Sequence, residues 1–224
     1  MTLPALIDGL ETYEVVQGQV AAILKAESLS QQALATAAGK DPRDWEFRVF
    51  EDRTEAWDEF KEPDSDGFVA PLISITANTE TFDKSRSAEL EQGGIASFNL
   101  DCMGYGQACA VGGGHEKADH RAEREAKRAS GLVRRILMAG PYMRLGFDAS
   151  FIDLVGDRWI SQRTFSRVPQ PGSFQIMCAR LVLEVEVTET SQAMQPVTLK
   201  KLLLNLTKDT TTGELLAAAE YPKE

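Results

Sequence analysis

The stretch GGGHEKADHRAEREAKRASGLVRRILMAG, residues 112–140, decides how the rest of the chain is read. Its three glycines let the backbone turn sharply. After them Ala118, Ala122, Ala126, Ala129, Val133, Ile136 and Leu137 recur at three- and four-residue steps and share one face of a helix. Arg121, Arg124, Lys127, Arg128 and Arg135 take the opposite face, with Glu125 on that outer side. Glu123 stands four residues before Lys127, the favourable acid-before-base order, worth about 0.2–0.5 kcal/mol. Gly140-Pro141 closes the helix. Because the apolar stripe is mostly alanine, it permits close approach, and the helix is predicted to lie flat against a sheet.

Working outward, the strands for that sheet are legible. Trp45-Glu46-Phe47-Arg48-Val49 alternates apolar and charged residues, as do Val69, Pro71, Ile73 and Ile75 with their neighbours. Pro71 marks an edge position or a strand start. In Ile95–Cys102 the even positions Ala96, Phe98, Leu100 and Cys102 form one face, and Ser97, Asn99 and Asp101 the other. Trp159–Arg167 and Phe174–Thr188 are strands joined by the Pro169–Gly172 turn. In the last strand the apolar phase shifts from Phe174, Ile176 and Cys178 to Leu181, Leu183, Val185 and Val187, which predicts a bulge near Ala179-Arg180. Ahead of the strands, residues 4–27 read as one helix and Ser30–Ala38 as a second, capped by Ser30 and stopped by Gly39 and Asp41-Pro42. Residues 51–68 are an acidic surface loop tacked down by Trp57 and Phe60. Ala77–Gly94, polar and too long for a tight turn, reads as a protruding arm or long loop. The fold class expected is α+β: a mixed or antiparallel sheet packed by the central and N-terminal helices. Residues 1–190 form the domain, and 191–224 form a C-terminal extension, either a hairpin or a strand plus a short helix.

Composition excludes several classes of function. A net charge of −10 argues against a dedicated nucleic-acid binder. Three cysteines without CxxC spacing make a disulfide framework or zinc site unexpected and fit a reducing compartment. The opening residues carry no basic n-region with an apolar run, and no window approaches the ~18 apolar residues that span a bilayer. Charge is unevenly spread: Asp41–Asp66 holds eleven acidic against four basic residues, and Glu116–Arg135 seven basic against four acidic. These two segments are either solvated faces or surfaces that meet, within one chain or between copies.

Candidate chemistry is thin. His115 and Asp119 share a helix face with Glu123 nearby, the start of a hydrolytic metal site, but no HExxH pattern completes it. Gly112-Gly113-Gly114 opening a helix could cradle an anion, yet lacks both nucleotide-loop spacings. Cys109 and His115 are close in sequence with nothing else to make a nucleophile and base. No catalytic, metal or cofactor site is therefore expected.

One resemblance goes further. The order N-terminal helix, Phe47-Arg48-Val49-Phe50, Pro71-Leu72-Ile73-Ser74-Ile75, a polar arm and Phe98-Asn99-Leu100-Asp101-Cys102 is followed by a helix with Ala-Asp-His-Arg-Ala-Glu before Val133-Arg-Arg-Ile-Leu, a Trp159 strand and Arg180-Leu-Val-Leu-Glu-Val-Glu-Val187. This pattern resembles the tail-terminator and head–tail joining (neck) proteins of tailed bacteriophages over roughly residues 5–190. Those families have no invariant site motif, so no functional residue is carried over. The resemblance implies a virion protein assembled in the host cytoplasm as a ring, commonly a hexamer. That ring would terminate the tail tube and join the head. Its neighbours would be the tail tube protein, a head-completion or connector protein, and a sheath if the tail is contractile. DNA would pass through without specific binding, and neither a membrane nor a cofactor is involved. The candidate subunit interface comprises Asp83, Lys84 and Arg86 on the arm and Arg121, Arg124 and Arg128 on the helix. Two other readings stay open: another tail component (tube, sheath-associated or baseplate), or a small hydrolase using His115 and Asp119.

Overall fold

The computed structural model describes residues 11–53, 56–60, 68–87, 91–111, 114–146, 155–168 and 174–190. The expected helix over residues 4–10 and the C-terminal extension lie outside the described residues. In chain order the elements are helix α1 (Thr12–Ala37), strands β1 (Arg48–Glu51), β2 (Leu72–Phe82), β3 (Glu91–Gln107), β4 (Cys109–Val111) and β5 (Gly114–Glu116), helix α2 (Ala118–Leu137), and strands β6 (Val155–Val168) and β7 (Phe174–Thr190). Five strands form one mixed sheet in the order β1-β2-β3-β7-β6, with β1 parallel to β2 and every other pair antiparallel. The fold is α+β as expected.

The alanine stripe explains how α2 sits. Ala122, Ala126, Ala129, Val133 and Leu137 are buried against β3 and β7. Opposite them β3 carries Gly104 and Gly106. A Cβ on Gly104 would stand 2.3 Å from the Ala122 carbonyl oxygen, and one on Gly106 would stand 2.0 Å from that of Ala118. Two bare positions on the strand and small ones on the helix thus bring backbone against backbone. On the same sheet face Ile73, Ile75, Phe98, Leu100, Ala179, Leu181, Leu183, Val185 and Val187 meet Val16, Val20, Ile23 and Leu24 of α1 to make the main core.

The opposite sheet face has its own apolar cluster: Leu72, Met103, Ile176 and Cys178, roofed by Ala56, with Phe50, Trp57, Phe60 and Phe174 around it. Tyr105 links Phe60 and Phe174, with ring centroids 5.5 Å from each. Trp57 and Phe60 thus tack their loop down as predicted. This second cluster corrects the bulge expected at Ala179-Arg180. β7 pairs with β3 in unbroken register from Phe174 to Thr190, and the apolar phase changes because Ile176 and Cys178 serve one face while Ala179 and Leu181 onward serve the other. Register shifts occur elsewhere, between Ala77 and Thr79 and at two places in the first half of β6.

Four further expectations change. α1 runs unbroken through Ser30, which is exposed within the helix and does not cap a new one, and the preceding turn is held by Ser28, buried, whose hydroxyl donates to the Trp45 carbonyl at 3.0 Å. The helix stops where expected, at Ala38, with Gly39 at φ +67°. Trp45 belongs to a 3-10 turn, Pro42–Trp45, in which the Asp41 carboxylate accepts the Arg43 N–H, so β1 begins only at Arg48. Within the expected arm, residues 77–82 and 91–94 are the outer ends of β2 and β3, where Phe82 pairs with Gly94 and Glu91–Gly94 continues onto β7, so these parts of it belong to the sheet. Residues 77–79 and 81–82 are exposed, so the strand continues there without an apolar pattern to announce it. Glu125, finally, is not on the open side of α2: its side chain is only 13% exposed.

Candidate subunit interface

Glu125 is covered because two arginines of α2 converge on it. Arg128 contacts its carboxylate at 2.7 Å, and Arg124 approaches at 3.6 Å while also pairing with Glu116. Arg128 then reaches across to donate to the main-chain carbonyls of Arg43, at 3.2 Å, and Asp44. These carbonyls belong to the 3-10 turn that follows α1, so Arg128 ties the two helical elements together inside one chain. Arg121 and Arg124 line a shallow polar recess beside this tie, shared with Asp41, Asp44 and Phe68. At Arg128 the basic helix therefore meets the acidic segment within the chain, through the carbonyl oxygens of Arg43 and Asp44.

The hairpin tip is built by local hydrogen bonds. The Asp83 carboxylate accepts from the N–H and the hydroxyl of Ser85, both at 2.8 Å, and these bonds hold its pKa below the usual carboxylate value. Lys84–Arg86 form a 3-10 turn folded over Gly93, where a Cβ would stand 2.7 Å from the Arg86 carbonyl oxygen. Arg86 pairs with Glu186 of β7 at 3.0 Å, which lowers the Glu186 pKa. Asp83, Lys84 and Arg86 are all exposed. The structure thus places the six candidate interface residues in two separate groups, three on the hairpin tip and three on α2.

At the start of α2 the Asp119 carboxylate accepts the His120 N–H at 3.0 Å, and Glu123 pairs with Lys127 at 2.6 Å, a bond that lowers the Glu123 pKa. The expected helix face shared by His115 and Asp119 does not form: His115 lies in β5, because Gly114–Glu116 pair with β4 and α2 begins only at Ala118. The His115 side chain lies outside what is described; its backbone stands opposite Ala110, while Cys109 stands opposite Glu116, so Cys109 and His115 are not cross-strand partners. Among the described residues no cluster of three or more His, Cys, Asp or Glu is arranged to hold a metal ion.

Three features escaped the sequence reading. Arg158 closes the C-terminal end of α2, donating to the carbonyls of Leu137 (2.5 Å), Ala139 (2.8 Å) and Met143 (2.5 Å). A cation at that end is favoured by the helix dipole and satisfies carbonyls the helix leaves open. On the face away from the helices Arg180 grips the buried Asp101 carboxylate with two bonds of 2.6 and 2.7 Å. Cys178 donates weakly to the same carboxylate, and burial, then Asp101, pushes its pKa up to about 12. The third feature is the edge strand. Among the described residues β6 is hydrogen-bonded on one side only, and Ser161–Arg167 are all exposed. On its helix-side row, Phe165 is 47% exposed and lies under the Arg163 guanidinium, 4.9 Å from the ring centroid, with Lys127 at 5.8 Å. The alternation Arg163, Phe165, Arg167 was visible in the sequence, but nothing there marked the strand as an edge.

Among the described residues no helix is long and apolar enough to cross a membrane. Compared with family models and with curated proteins, the chain matches none.

Proposed function

We propose that the chain is a structural virion protein of a tailed bacteriophage, one copy in a ring that terminates the tail tube and joins it to the head. The observation that carries this reading is the order of elements. N-terminal helix, short strand, long β2–β3 hairpin, alanine-striped helix and paired β6 and β7 follow one another as in the proteins this sequence resembles. The hairpin also supports it, since Asp83, Lys84 and Arg86 place exposed charges at the sheet's outer end, suited to reaching a neighbouring copy. In such a ring each copy presents one surface to a different surface of the next. An acidic chain does not grip the phosphates of DNA that passes through it.

Negative-stain imaging of the purified chain tests this directly, with discrete closed rings as the expected result. Subunits labelled on intact particles are expected at the junction of tail and head. A label along the tail shaft or at its far end would instead assign the chain to the tube, sheath or baseplate. A chain that stays monomeric at high concentration would overturn the ring.

A further inference from the structure

Natural sheets blunt their edges with bulges, prolines, charges or covering elements, because an unpaired edge pairs with any strand that fits. β6 carries bulges in its first half only. Its register against β7 shifts between Val155 and Arg158 and again between Ile160 and Gln162, whereas Gln162–Val168 runs in regular register. That regular half contains no proline and is exposed from Gln162 to Arg167. It is also self-complementary about Thr164. Folded on itself antiparallel, the sequence Gln162-Arg163-Thr164-Phe165-Ser166 sets Gln162 opposite Ser166, Arg163 opposite Phe165, and Thr164 opposite Thr164.

We propose that this segment of β6 pairs with the same segment of a second copy about a two-fold axis through Thr164, joining the two sheets into one of ten strands. The two-fold makes the contact isologous, so each pairing off the axis occurs twice. A guanidinium against an aromatic ring is attractive, and Arg163 already lies over Phe165 within its own chain. Across the seam each Phe165 meets the other copy's Arg163, and Thr–Thr and polar pairs flank them, all favourable cross-strand combinations. Charge selects this register over its neighbours. Moving the axis to Phe165 sets Arg163 against Arg167 twice, and moving it to Arg163 sets that residue against itself, both directly opposed like charges. With the axis at Thr164 the two Arg163 residues are only diagonal neighbours. Each is also drawn back over its own α2 by bonds to the Lys127 carbonyl at 3.2 Å and the Ser130 hydroxyl at 2.5 Å. Among the described residues no carboxylate pairs with Arg163 or Arg167 to compete. This contact is separate from the ring contact, which is heterologous, and one molecule can carry both.

The test is a cysteine at the axis. Thr164→Cys under mild oxidation should give a symmetric 164–164 disulfide, identified by peptide mass mapping, while Gln162→Cys, displaced from the axis, should give at least tenfold less. In the Thr164→Cys background, Phe165→Lys should lower cross-linking at least tenfold, because it opposes Arg163 with a like charge. Phe165→Glu should preserve it by opposing Arg163 with a carboxylate. The proposal is overturned if Thr164→Cys has the wild-type unfolding midpoint and does not cross-link, if Gln162→Cys links equally well, or if Phe165→Lys changes nothing. It is also overturned if Phe165→Glu abolishes the link, which would make the contact merely apolar. Rings without the 164–164 link defeat this contact and leave the ring reading standing; linked dimers that form no ring do the reverse.

Discussion

Gly104 and Gly106 set the distance between α2 and the sheet, since any Cβ there would overlap helix backbone that cannot swing aside. Gly104→Ala should therefore cost about 1–3 kcal/mol in chemical denaturation, as overpacking does. Gly131, in α2 with nothing within 4 Å of its would-be Cβ, supplies the contrast. Gly131→Ala should leave stability equal or raise it by up to about 1 kcal/mol, the helix-propensity difference. A second residue-scale case is Glu80, whose Oε1 is buried without a hydrogen-bond partner among the described residues. Burial, then Glu189, then Glu11 raise its pKa above the ordinary 4.5. A raised carboxyl binds its proton more tightly folded than unfolded, so its contribution is fully present below about 4.5 and is lost as pH rises through the folded value. At pH 7 the ionised group is therefore a cost. Glu80→Gln should raise the unfolding midpoint there by the equivalent of about 0.5–1 kcal/mol, discounted for its partial exposure. The advantage over wild type should shrink at pH 4, and a constant difference across pH would mean that the charge is not the cause.

At the scale of elements, α1 is one helix through a segment that carries the marks of a boundary. Position 31 separates the two descriptions. Were Ser30 the cap of a second helix, Gln31 would be its first residue, where proline is tolerated. Inside a continuous helix, Gln31→Pro removes a bond and clashes with the preceding turn, so it should lower stability by about 3 kcal/mol in urea unfolding. A loss under about 0.5 kcal/mol would restore the two-helix reading. β7 carries the same lesson for strands. A single-faced strand shows one apolar phase, whereas β7 serves two cores in turn and shows both without any break in its ladder.

For the whole molecule, the β2–β3 hairpin is the part of the sheet that works away from the helices. Replacing Asp83–Gly93 by Asn-Gly, so that Phe82 and Gly94 flank a two-residue turn, removes the tip and three pairings of β3 with β7. Both cores keep every residue. On the ring reading, this variant should retain the wild-type circular dichroism spectrum and unfold cooperatively, yet sediment as a species smaller than the ring. Full-size rings from the shortened chain would assign the hairpin a purely internal role.

Local pattern alone determined the body of α2, its alanine face, the helix-facing row of β3, and the α+β class, because each is a periodicity written in consecutive residues; the start of α2 was not legible, since Gly114–Glu116 pair as β5 and the helix begins only at Ala118. Tertiary structure decided what depends on partners distant in sequence. Ser28 stays inside a helix because Trp45 takes its hydroxyl proton, and β7 changes face because Ala56, Trp57 and Phe60 roof the far side. Arg128 points into its own chain because the turn after α1 offers it two carbonyls. β6 is an edge only because β7 takes the place beside β3. Strand order is a property of which segments collide and pair, and no period along the chain encodes it.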